Sequence, residues 1–195
     1  MYNQNTPTVK KRCSWPGSDD MMIAYHDTEW GRAEHNDKKL FEFLVLESFQ
    51  AGLSWRIVLN KRENFRRAFS GFDAVKVARF NKSKVEELLK DASIIRNRLK
   101  IEAAINNASC FLKIKKEFGS FDKYVWSFSN HKTIVNKRKS LKDIPATSPE
   151  SDKMSADMGT RGFKFRGSTI CYAFMQAVGM VNDHTTECFC HKGSC

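Results

Sequence analysis

The 195-residue chain carries cysteines and histidines near both of its ends, and these residue types at this spacing are the first that could do chemistry. His184-x3-Cys188 has a spacing found in zinc sites, and Cys13-x12-His26 could complete a tetrahedral Cys2His2 set. A zinc closed by four protein ligands is structural, because a catalytic zinc keeps one position open. Cys190, His191 and Cys195 compete as ligands, so spacing leaves the choice open. It equally allows histidines that sit at the surface or cap a helix. Cys110 and Cys171 lie in apolar stretches and read as core thiols.

Three further groups of residues invite a functional reading. Glu47 follows Leu44 by three residues and Leu40 by seven, on the apolar face of a helix, where a charge is costly unless something uses it. Pairing with a lysine or capping a helix is the commoner fate of such a residue. The AGLSW stop brings Trp55 near Glu47, while Tyr25 and Trp30 sit in AYHDTEWG, a segment too polar for simple core. Aromatic residues nevertheless pack more often than they bind. Finally, Ser83 to Lys116 reads as helix, short hairpin, helix, with Arg96, Arg98 and Lys100 directly after the turn. Backbone N–H groups there can hold a phosphate; an ordinary solvated helix pair is the alternative.

The elements that must position these residues are helices. Asn36 or Asp37 caps KKLFEFLVLESFQA, which Gly52 ends. Ser54 caps a helix reaching Phe69, and Asp73 opens a short one to Phe80. Ser83 with Glu86 forms a capping box for a helix to Lys90. After a break at Asp91 to Ile94, the apolar periodicity of Ile101, Ala104, Ile105, Ala108 and Phe111 carries a longer helix to Lys116. Ser120 caps FDKYVWSF, Ser148-Pro149 starts a helix closed by Gly162, and a last helix runs from Ser168 or Thr169 to Gly179. Residues 129–146 are basic and weakly periodic and read as an exposed loop. The pattern contains no convincing strand pair, so the fold class is all-α.

Composition bounds the function. A 41% hydrophobic content excludes wholesale disorder, and 33 Lys and Arg against 22 Asp and Glu give +11, which favours a polyanionic partner. Six cysteines are too few for a disulfide scaffold. No apolar run is long enough to cross a membrane, and MYNQNTPTVKKR lacks a signal-peptide core, so a cytoplasmic protein is expected.

YHDTEWG, DKKLFEFLVLES, QAGLSW, LNKREN, SIIRNRLKI, YVWSFSNH, RGFKFRGSTICYAFMQAVGMVNDH and the Cys-rich tail closely resemble the 3-methyladenine DNA glycosylase I family, nearly collinearly from Arg12 to Cys190. The resemblance implies a helix-hairpin-helix DNA glycosylase fold in one domain over 12–195, after a polar extension over 1–11. One structural Zn2+ per chain would join the ends through Cys13, His26, His184 and Cys188. The base pocket maps onto Glu47, Tyr25, Trp30 and Trp55, and Gly52 and Leu53 match residues that enter the DNA stack. Ser93, Arg96 and Arg98 would contact DNA around the hairpin. The implied activity is hydrolytic excision of 3-methyladenine from alkylated double-stranded DNA by base flipping, without lyase chemistry, by a monomer that releases the free base. A zinc-stabilised DNA-binding module without catalysis is the alternative. Ser93 and Leu99 stand where the family has Gly, which predicts strain if the turn needs a positive φ at Ser93. Ser48 also replaces a frequent Gly and is expected to crowd the pocket wall.

Overall fold

A computed structural model describes residues 10–192; most of the polar extension, and Cys195, lie outside the described residues. The fold is built around α2 (Asp37–Gln50), in which every residue from Leu40 to Phe49 is buried. A helix covered on all sides needs no single apolar stripe, and α2 has none. Its N-terminus is fixed by the Asn36 side chain, which accepts from the backbone N–H groups of Lys38 and Lys39.

Before it lies α1 (Asp20–Thr28), capped by Asp19, and after it α3 (Trp55–Asn60) and α4 (Arg62–Ala68). The expected helix from Ser54 to Phe69 is thus two helices broken at Lys61. A short α5 (Ala74–Val77) follows, capped by Asp73, then α6 (Lys82–Lys90) and α7 (Arg98–Phe118). The cap of α6 is Asn81, whose side chain accepts from Lys84 N at 3.0 Å, and not the Ser83–Glu86 box. Glu86 instead faces Arg98. Next come α8 (Phe121–Ser127), α9 (Pro149–Thr160) with its Ser148 cap, and α10 (Ser168–Ala177). Helices α7, α8 and α10 pack around α2, and ring pairs such as Phe41–Phe111 at 5.0 Å join them.

Two departures from the periodicity matter for the site. Helix α1 was not legible, because its buried face consists of Met22, Tyr25 and His26 alone. Residues 129–146 are largely exposed, as expected, but not without structure: β1 (Ile134–Val135) pairs in parallel with β2 (Val181–Asn182), and Arg138 bridges to Thr185. Two residues per strand are too few to show a period of two in sequence.

The end of α10 closes onto the segment after α1. Gly31 N donates to Gln176 O at 2.9 Å and Glu34 N to Val178 O at 3.0 Å. Gly179 makes this approach possible: at φ +72° it takes the left-handed conformation, and a Cβ there would lie 2.1 Å from the Arg32 carbonyl carbon. Gly179→Ala should therefore lower the unfolding free energy by about 2 kcal/mol or more in urea titrations, combining left-handed strain with a backbone clash.

Candidate active site and metal cluster

Helices α1, α2 and α3 converge on a cavity of about 320 Å³. That volume lies at the small end of ligand pockets. Its walls are Tyr25 of α1, Trp30 just beyond it, Glu47 near the C-terminus of α2 and Trp55 at the start of α3. All four residues expected in a base pocket are thus brought together. Trp15, Gln50 and Gln176 also line it, as do Leu141 and Ile144 from the segment read as an exposed loop. The rings form a continuous wall: Tyr25 and Trp55 centroids are 5.2 Å apart, and Trp15 and Trp30 5.1 Å.

Glu47 is 4% exposed, and its Oε2 is buried with no hydrogen-bond partner. Burial pushes its carboxyl up to about 8. The contrast with Glu42, five residues earlier on the same helix, shows how unusual this is. Glu42 is equally buried but accepts from Arg62 Nε at 2.5 Å and Arg66 Nη2 at 2.8 Å. Arg62 also grips Glu29 through two bonds of 2.8 Å, fixing the end of α1 beside Trp30. One acid on α2 is fully used by the fold; the other is left facing a cavity. The Tyr25 hydroxyl is held far above its ordinary range by burial and by the neighbouring Glu47.

Ser48 does not crowd this cavity. Its hydroxyl donates back to Leu44 O at 2.8 Å. The segment carrying Leu141 and Ile144 is anchored by Asp183, a fully buried carboxylate accepting from Tyr172, Gln176, Asn136 and Arg138 at 2.6–2.9 Å. Burial alone would raise its pKa, but these four donors outweigh burial and lower it.

The Cys13, His26, His184 and Cys188 ligand atoms lie within 4.8 Å of one another, all in buried residues. Cys188 Sγ is 3.5 Å from His26 Nε2 and 3.7 Å from His184 Nδ1, and Cys13 Sγ is 3.7 Å from the latter. Sulfur and nitrogen bound to one tetrahedral zinc stand about 3.6 Å apart, so the donor set fits such an ion. The opposite ring nitrogens have outer partners. His26 Nδ1 donates to Asp27 at 2.8 Å and His184 Nε2 to Trp30 O at 3.0 Å. Burial lowers both imidazoles, His184 to about 4, leaving them neutral, as a ligand must be. His191 turns away to Asn136 O at 2.9 Å, and the Cys190 Sγ faces the His26 carbonyl. The cluster also touches the pocket: the Trp15 ring packs 5.4 Å from His26, and Trp30 4.6 Å from His184.

The remaining expected residues lie in two turns, the one between α2 and α3 and the one before α7. Gly52, at φ +76°, and Leu53, 37% exposed, form the turn between α2 and α3. Ser93 does not adopt a positive φ, so the expected strain is absent. Its N–H donates to the Asp91 carboxylate at 2.8 Å, while its carbonyl accepts from Lys61 and Asn64. Arg98 pairs with Glu86 at 2.8 Å, and Arg96 is exposed.

A cavity walled by aromatic rings around an acid, on a mostly helical scaffold in a chain of net charge +11, is the site the fold builds. The family model for methyladenine glycosylases matches residues 15–191. DNA-3-methyladenine glycosylase 1 of Escherichia coli is 50% identical over 94% of this chain and 98% of its own length. The Haemophilus influenzae DNA-3-methyladenine glycosylase is 44% identical over 92% and 97%. Among solved structures, a 3-methyladenine DNA glycosylase I superposes with TM-score 0.91 at 49% identity, covering 93% of this chain and all of that one. The Staphylococcus aureus enzyme, solved for its recognition of 3-methyladenine, gives 0.88 at 34% identity, covering 91% and 94%. The chain belongs to the methyladenine glycosylase family, and with it to the hydrolytic DNA glycosylases. A non-catalytic binding module is thereby set aside.

An unpaired buried acid should show in stability. The folded state holds the Glu47 proton up to about pH 8, whereas the ordinary value is 4.5. Between these limits the native state binds more protons than the unfolded state, so its stability falls as pH rises. Glu47→Gln should therefore be more stable than wild type at pH 7.5, by up to about 4 kcal/mol, with the gap closing as pH falls through 4.5. Chemical denaturation across this range measures it.

Proposed function

We propose that this chain excises 3-methyladenine from alkylated double-stranded DNA by hydrolysing the N-glycosidic bond. The products would be the free base and an abasic site, with no strand cleavage. The observation that carries the proposal is the partnerless carboxylate of Glu47 among Tyr25, Trp30 and Trp55.

Methylation at N3 gives adenine a positive charge. Such a base is attracted to aromatic faces, by roughly 0.5–2 kcal/mol for each well-placed ring. Its charge also lowers the pKa of the nearby acid, so Glu47 would release its proton as the cation enters and accept a hydrogen bond from the exocyclic amine. Neutral adenine brings no charge to offset the desolvated carboxylate. Selectivity would thus come from a group that ionises only beside the right ligand.

The base must first leave the stack, which costs least for a damaged, poorly stacked nucleotide. Gly52 and Leu53 would enter the gap, and Ser93, Arg96 and Arg98 would hold the backbone. Arg98 would exchange Glu86 for a phosphate. In the chemical step the C1′–N9 bond breaks, and its electron pair neutralises the ring charge of the departing base. Water then adds to the oxocarbenium-like C1′ and loses a proton to solvent. The cationic leaving group needs no general acid, so Glu47 chiefly recognises and orients.

Zinc would be held by Cys13, His26, His184 and Cys188. With no open position it would supply no reactive chemistry, only a clasp between segments 13–26 and 184–188. We further read the protein as a cytoplasmic monomer; no helix among the described residues is long and apolar enough to cross a membrane.

Incubation with methylated DNA should release 3-methyladenine as the main base, identified by chromatography; 7-methylguanine as the main product would reassign the substrate. Glu47→Gln should bind free 3-methyladenine, which is neutral, roughly two- to ten-fold more weakly, the worth of an ordinary hydrogen bond, and should lose more than this in excision of the cationic nucleotide. Unchanged affinity would remove Glu47 from recognition. Elemental analysis should give one zinc per chain, and Cys13→Ser or Cys188→Ser should weaken zinc binding by more than about a hundred-fold; full retention would refute those ligands.

A further inference from the structure

Lys100 is the third residue of α7, a poor place for a cation, since the positive end of its own helix dipole lies there. It is also 6% exposed, although lysine is almost never buried without a partner. No ion pair among the described residues includes it, and burial alone lowers its pKa. Its Nζ donates instead to Phe49 O at 2.8 Å and Ala51 O at 2.6 Å. These carbonyls belong to the end of α2, where the last peptide groups lack intrahelical partners and the dipole is negative. Ala51 immediately precedes Gly52 and Leu53, and Glu47 lies one turn back.

We infer that Lys100 is a positioning residue: it ties the first turn of the helix after the hairpin to the turn carrying Gly52 and Leu53. The geometry supports this in two ways. Gly52 at φ +76° leaves that turn without a side chain to brace it, so the ammonium is its cross-link to the hairpin helix. On the other side, Lys61 Nζ donates to Ala92 O and Ser93 O, holding the hairpin against the end of α3. Turn and hairpin are therefore braced by one lysine each way, and a duplex held at the hairpin meets Leu53 at a fixed distance. The inference rests on the wedge role proposed above for Leu53.

The test uses the zinc-loaded full chain with Lys100→Met and Lys100→Arg. Lys100→Met should bind free 3-methyladenine within about two-fold of wild type, because the pocket walls are elsewhere. Its single-turnover excision from duplex DNA should fall between about ten- and a hundred-fold, the scale of a misplaced positioning element. Fluorescence of 2-aminopurine placed beside an abasic-site analogue should rise less than with wild type, and Lys100→Arg should restore part of both signals. Combined with Leu53→Ala, the loss should be less than the product of the single losses. Wild-type excision by Lys100→Met, equal loss of free-base binding and excision, or independent losses in the double variant would each overturn the inference. The 2-aminopurine signal requires no excision, so it tests Lys100 even where wild type releases a different base.

Discussion

A carboxylate kept dry without a partner is the constraint on which the rest of this structure depends. Placing Glu47 on α2 puts the acid on a helix with no solvated face, so the surrounding rings hold water away and keep its proton on in the empty pocket. Such a site has to be rigid, because a small opening would hydrate the acid and return it to its ordinary value. The Arg62 pairs to Glu29 and Glu42, and the Asp183 donor set behind Gln176, supply that rigidity from two sides. Both are satisfied buried ionic networks and so add little net stability against apolar replacements, but each specifies where a pocket wall stands.

The cluster at the chain ends belongs to the same construction. Trp15 and Trp30 come from the first segment of the described chain, which has little packing of its own and a helix with only three buried side chains. His184, reaching across from the far end of the sequence, donates to the Trp30 carbonyl with one nitrogen and faces the two cysteines with the other. A metal clasp at these ligands would therefore place an aromatic wall of the cavity.

Sequence periodicity was sufficient for α7, α8 and α9, whose buried positions recur at helical spacing and whose caps are Ser or Asn side chains; α2 showed by its Asn36 cap and apolar run, and α10 by periodicity alone, since its cap is Gly167, without a side chain, one residue before the expected Ser168. It failed for α1 and for the segment over 129–146, where burial depends on contacts with distant chain and not on a local pattern. Leu141 and Ile144 were hidden for this reason: they stand singly among polar residues and Pro145, and the β1–β2 pairing and the Asp183 anchor fold them over the pocket. Glu47 stood out as an acid on an apolar face, yet Glu42 shares that helix and its surroundings. What separates them is Arg62, twenty residues beyond Glu42, and no local signal shows which acid it will take. Trp15 carries no local signal, since it lies outside any helix, two residues after Cys13.

The net charge of +11 looks at first unsuited to a pocket for a cation. Much of the basic side-chain chemistry near the site is already committed: Arg62 and Arg138 to buried acids, Lys61 and Lys100 to carbonyls, Arg98 to Glu86. The surplus is left for the proposed DNA, where it would meet phosphates and make affinity salt-dependent without reading the base. A cationic base is covalently part of a polyanion, so the surface draws it in with the DNA despite its own charge. Once the glycosidic bond broke in the proposed reaction, the base would leave as a separate molecule, neutral in charge, and Glu47 would lose the cation that favours its ionised form. The desolvated acid would then recover its proton, and the same burial that would make recognition selective would favour release of the product.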